Sequence, residues 1–288
     1  MKVTEKLLKH YRFGGHMKKA LTIFTLILVL GLANGAQAIT INPMDSGTGL
    51  VNNILGSGIT VDNVSYTGAT GASGYFSDGG AIGMSSGIIL TSGSAAGAVG
   101  PNNNGSYSVD NGVPGDSALD ALIPGSTTDA TVLEFDFVST GGSLYFNFVF
   151  ASEEYNEWVG SQYNDVFGFF LDGVNIALIP GTSTTVAINN VNNGANSEYY
   201  NDNSNGLYDI EYDGFTDVFT ATALGLTEGT HHIKLAIADA GDYFLDSAVF
   251  IQGGTFSDTP PSAVPVPAAV WLLGSGLAGL AGLRKKLS

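Results

Sequence analysis

Residues 143–151 read SLYFNFVFA, and residues 130–137 just before them read ATVLEFDF. In the first stretch Leu144, Phe146, Phe148 and Phe150 recur at every second position, with Asn147, Val149 and Ala151 between them. In the second, Val132, Leu133, Phe135 and Phe137 come close to the same alternation. A period of two sends alternate side chains to opposite faces of an extended chain, so both stretches are predicted to be strands with one strongly apolar face. Outward from this pair, short apolar patches at 59–66, 87–91, 166–171, 174–178, 184–189, 215–222, 231–239 and 247–252 read as further strands. The turns between them draw on 40 glycines and many asparagines. Only 44–54 and 117–122 hint at short helices, while glycine-rich 67–80 and 92–105 read as long loops. The pattern predicts an all-β fold, an antiparallel β-sandwich, with the jelly roll as one arrangement of it.

Both flanks of this region carry address-like segments. Met17-Lys18-Lys19 opens a basic stretch, LTIFTLILVLGL follows at 21–32, and Ala36-Gln37-Ala38 fits a signal-peptidase site. Residues 1–38 therefore read as a signal peptide with Met17 as the true start, and Ile39 becomes the mature N-terminus. At the other end SDTPPSAVPVP (257–267) is a stiff Pro-rich linker. The apolar run AAVWLLGSGLAGLAGL (268–283) follows, then the basic stop Arg284, Lys285 and Lys286, placed on the cytoplasmic side. That run falls short of the roughly 20 residues an unassisted span takes, which favours a transient sorting helix over a permanent transmembrane anchor. The remainder, 39–256, suits one domain with a sizeable core.

The chain has 26 acidic residues against 10 basic, a net charge of −16. Almost all basic residues lie in the two flanks, and the segment between them holds a single lysine, Lys234. Such a field repels nucleic acid and anionic membrane surfaces and favours cations. The plainer reading of most of these acids is solubility. There is no cysteine, which excludes thiol catalysis, iron–sulfur clusters and Cys-based zinc sites. Past the leader only His231 and His232 remain, and neighbours on a strand face opposite ways, so a shared metal is not expected.

The least generic stretch is FNFVFASEEYNEWVGSQYNDVFGFFLDG (146–173), a strand, an acidic turn and a second strand. Glu153, Glu154, Asn164 and Asp165 from this block, with Asp242 and Asp246 that follow strand 231–239, form the candidate ligand set of one calcium ion. Hard oxygens without nitrogen or sulfur are what calcium takes. The competing reading makes the same residues local turn caps. The segment DNSNG at 202–206 lacks the glycine position and final glutamate of an EF-hand loop and reads as a solvated turn.

Two resemblances follow from these motifs. VPVPAAVWLLGSGLAGLAGLRKK (264–286) resembles the PEP-CTERM sorting signal of Gram-negative bacteria in its VPxPA variant, with Val266 where the commoner form has glutamate. The resemblance implies transient insertion in the inner membrane and handling by an exosortase near Val264, Pro265, Val266 and Pro267; an unprocessed tail anchor is the alternative. The 146–173 block, with GDSALDALIPGSTTDATVLEFDF (115–137), YDIEYDGFTDVFTATA (208–223) and HHIKLAIADAGDYFLDSAVFI (231–251), is similar to the choice-of-anchor L domain. That family implies an extracellular β-sandwich surface domain and brings no established catalytic residues.

The expected role is therefore that of an exported surface or extracellular-matrix protein, structural or interacting, of the kind found in biofilms. Its partners would be signal peptidase and exosortase in transit, then extracellular polysaccharide or other surface proteins. An alternative is a calcium-dependent carbohydrate-binding module stacking sugars on Tyr155, Trp158, Tyr163, Tyr199 and Tyr200. A secreted glycosidase ranks lower. Glu153 and Glu154 diverge in an extended chain, whereas its two carboxylates must face each other across roughly 5–9.5 Å. No enzyme activity is expected.

Overall fold

The computed structural model describes residues 38–261. The leader with Ala36, the sorting motif Val264, Pro265, Val266 and Pro267, the apolar segment and the basic stop Arg284, Lys285 and Lys286 lie outside the described residues. Among the described residues no helix is long and apolar enough to cross a membrane.

The two alternating stretches that announce the fold belong to one strand. β5 (Thr127–Ser152) runs for 26 residues. β10 (Phe219–Ala240), 22 residues long, pairs with it antiparallel from Phe219↔Phe148 to Ala240↔Thr127. Both strands bend midway. Gly141 and Gly142 take φ of 89° and 111°, and the β10 register shifts between Leu224 and Leu226. Only glycine adopts such φ values freely, and the extra residue in β10 sharpens the turn of the ribbon.

The bend divides the strands into two layers. One half of β5 is flanked by β2 (Thr60–Thr67) through pairs such as Tyr66↔Leu133, and the far half of β10 carries β6 (Val166–Leu171) and β7 (Val174–Asn175). The other half of β5 is flanked by β11 (Ser247–Gln252), followed by β4 (Ser86–Thr91), β3 (Ser73–Ser77) and β1 (Thr40–Pro43). β9 (Gly214–Thr216) caps the end of β5 and pairs with β8 (Tyr200–Asp202). The layers close on each other through aromatic rings: Phe146 stacks on Phe169 at 4.1 Å between centroids, and Phe148 meets Phe167 at 5.3 Å. Leu133, Phe135, Phe137, Leu235 and Ile237 complete the same interior. This is the antiparallel β-sandwich that the alternation calls for, with β5 and β10 shared by both layers.

Two smaller apolar clusters cover outer faces. Val149, Ala151, Ala248 and Phe250 pack under Phe76, Tyr212 and Phe215. Val132, Ala236 and Ala238 pack under Leu119, from helix α2 (Ser117–Asp120). The longer helix, α1 (Gly47–Ile54), is capped by Ser46 and buries Leu50, Val51 and Ile54 against the interior.

Several strand expectations are corrected. β3 lies inside the stretch read as the loop 67–80; its Gly74 is required because a Cβ there would stand 2.7 Å from the carbonyl oxygen of Asn42. The expected strand 174–178 shrinks to two residues, and 184–189 forms only isolated bridges. There the Asn175 side-chain oxygen accepts from the Phe169 and Ala177 N–H groups, replacing ladder bonds with side-chain bonds. The loop 92–105 contains a short 3₁₀ turn at Ala95–Ala98.

Candidate functional site

Because β5 doubles back at its bend, both of its ends arrive at the same end of the sandwich. Thr127 pairs with Ala240 there and Ser152 with Ser247. The end of β4 joins them, its Thr91 carbonyl accepting from the Thr131 hydroxyl. The acids that sequence reading singled out collect at these strand ends.

Asp165, fully buried just before β6, is the structural centre. Its Oδ1 accepts from the Ala240 N–H at 2.8 Å and its Oδ2 from the Ser247 hydroxyl at 2.6 Å, so it ties β10 to β11. Burial, opposed by these hydrogen bonds and reinforced by the charges of Asp242 and Asp246, raises its pKa to about 8. Asp246 accepts from the Val109 N–H at 3.0 Å, and burial raises it to about 7. Gly93 is obligatory beside it, since a Cβ there would lie 1.6 Å from Asp246 Oδ2. Asp242 is half-buried; its Oδ1 caps the Phe244 N–H at 3.1 Å and its carbonyl accepts from the Thr128 hydroxyl. Asn164 spends its side-chain oxygen on the Asn189 N–H at 2.8 Å.

Glu153 and Glu154 are different in kind. Both are buried, and both oxygens of Glu153 and Oε2 of Glu154 have no hydrogen-bond partner among the described residues. Burial raises each to about 10, helped at Glu153 by Asp213, Glu211 and Asp246 and at Glu154 by Asp165 and Asp242. The six expected ligands thus form a chain of neighbours, and Glu153 and Glu154 look onto different acids. Among the described residues no three His, Asp or Glu groups already stand in metal-ligating geometry.

Sequence reading left four members out of this set. Asp239 is fully buried with neither carboxylate oxygen in a hydrogen bond of regular geometry among the described residues, and burial together with Asp165, partly offset by the nearby Ser92 hydroxyl, pushes it well above the usual carboxylate range. Its signal was an acid on the apolar phase of β10, in line with Ile233, Leu235 and Ile237. Asp129 accepts from the Asn111 and Val113 N–H groups. Glu211 and Asp213 accept from the Asn104 N–H and the Asn102 side chain. With Asp246, these acids pin down the segment 102–113, and nothing in their local sequence announces it.

The basic groups sit elsewhere. Lys234 pairs with Asp116. His231 pairs through Nδ1 with Asp172 at 2.6 Å and through Nε2 with the Thr227 carbonyl at 3.0 Å, and it stacks on Phe137. His232 pairs with Asp136 at 2.8 Å, on the other side of the strand as adjacent positions require. With both His231 nitrogens engaged, neither is free to activate a nucleophile.

One aromatic expectation is corrected. Tyr155 is fully buried, its hydroxyl donating to the Val191 carbonyl at 2.7 Å, and cannot stack on a sugar. Its extended position after an acidic turn gave no hint that the chain folds it inward. Tyr200 packs on it and Tyr199 packs on Phe219, leaving Trp158, edge-on to Tyr163, as the exposed ring.

Compared with known proteins, residues 40–257 match the family model described as the choice-of-anchor L domain. No curated protein and no solved structure matches the chain.

Proposed function

The chain belongs to the choice-of-anchor L family, and from that premise we propose an exported protein, displayed at the cell surface or held in the extracellular matrix of a Gram-negative bacterium. Its sandwich serves a structural or interaction role toward extracellular polysaccharide or other surface proteins, and not a catalytic one. The observation that carries this reading is the extent of the family match, 40–257, which takes in nearly all of the chain between the leader and the sorting motif. Choice-of-anchor domains point to surface-anchored or exported proteins. The finer steps are read from the flanks: signal peptidase cuts after Ala38, and an exosortase recognises Val264, Pro265, Val266 and Pro267 while Arg284, Lys285 and Lys286 hold the precursor in the inner membrane. Support for a non-catalytic role comes from the histidines, whose ring nitrogens are engaged by carboxylates and a carbonyl.

Intact mass of the protein recovered from producing cells and from their medium tests this. The expected product begins at Ile39 and lacks 268–288. A surface product that keeps 268–283 overturns exosortase processing in favour of a plain anchor, and a product confined to the cytosol overturns export.

A further inference from the structure

β5 carries Phe148 and Phe150 into the interior and Val149 and Ala151 to the opposite face, and past its end the chain bends at Glu153 and Glu154. There Glu153 and Glu154 have different acids around them. Asp239 continues the inward phase of Ile233, Leu235 and Ile237 and stands with Asp165. Glu153, Glu154 and Asp239 are 1%, 1% and 0% exposed, and together they hold five carboxylate oxygens without a hydrogen bond of regular geometry among the described residues.

Turn residues satisfy their oxygens on nearby N–H groups, as Asp129, Asp242 and Asp246 do here. The five orphan oxygens do not. Protonation leaves the problem in place, because a neutral carboxyl still carries an O–H that needs an acceptor. Nor, among the described residues, does a side-chain cation reach the cluster: Lys234, His231 and His232 are committed to Asp116, Asp172 and Asp136. A hard divalent cation satisfies several buried oxygens and their charge at once. Calcium fits this donor set best, since it accepts six to eight oxygens in flexible geometry, whereas magnesium demands a near-ideal octahedron and keeps its waters.

We infer that the strand-end cluster binds two calcium ions. The outer ion is held by Glu153 with Asp246, Asp213 and Glu211, and the inner ion by Asp239 and Glu154 with Asp165. The outer ligands also hold the segment 102–113 through the N–H groups of Asn104 and Val109 and the side chain of Asn102, so the outer ion locks that segment onto the sandwich.

Calcium titration calorimetry and terbium luminescence on the full protein, as recovered from producing cells, test the assignment. The expected stoichiometry is two ions per chain, with terbium emission sensitised by Tyr107 and Tyr212, whose hydroxyls feel the charges of Asp246 and Glu153. At about a hundredfold calcium excess over Kd for both ions the melting temperature rises by roughly 10–20 °C relative to chelator. Glu153→Gln and Asp239→Asn each lower the stoichiometry by one. Binding of no calcium, or of a single ion, overturns the assignment. Wild-type stoichiometry and terbium emission decide the matter even where a variant fails to fold.

Discussion

At Glu153 and Glu154, two adjacent residues of the same chemistry are given different neighbours by a single step along the bend after β5. Their acidic surroundings are legible from composition, but the absence of any partner for their oxygens depends on what folds over them. Asn164 shows the reverse: it reads as a ligand in sequence and serves as a backbone cap in the fold. His231 supports a prediction at this scale. The hydrogen bond to Asp172, then that to the Thr227 carbonyl, raises its pKa above the ordinary value of 6.5 against the pull of burial. Burial opposes ionisation of Asp172, yet the hydrogen bonds from His231 and the His232 N–H, with the histidine charges, hold it below 3.8. The histidine contribution is complete below about pH 6.5 and fades as pH rises through its folded value, while the aspartate contribution fades only as pH falls below about 3.8. Urea unfolding of wild type and Asp172→Asn should therefore differ most near pH 5 and by less at about pH 9, where only the aspartate contribution remains. A constant difference across that range would remove the pair from the pH dependence.

Among the elements, the long ribbon of β5 and β10 controls the architecture. Periodicity located its parts, because alternating phenylalanines survive any register, but read them as four strands. Gly141 and Gly142 fall inside one continuous strand, bent there, because β10 stays paired with β5 on both sides of the bend. A Cβ on Gly142 would meet nothing within 4 Å, so the demand there is conformational, from φ of 111°. Gly142→Ala should cost about 1–2 kcal/mol in chemical denaturation through that φ alone. Gly80→Ala, in equally open space and without a positive φ, should be near neutral. Equal effects at the two sites would place the cost outside the bend.

For the whole molecule, the rings between the layers are the main source of cohesion. Phe146 joins β5 to β6 through its stack on Phe169 and touches Phe148 as well. Phe146→Ala should destabilise the domain by about 3–5 kcal/mol, measured by the urea midpoint at unchanged slope. A loss below about 1 kcal/mol would mean that the layers are held elsewhere. The fold class, the apolar faces, the acidic character and the family were all present in the sequence, since each depends on residue type at short spacing. The doubling-back of β5, the burial of Tyr155 and the meeting of Asp239 with Asp165 were decided by tertiary structure. These pair residues far apart in the chain, and which distant strand ends meet is set by register and bend, which no local pattern of residue types encodes.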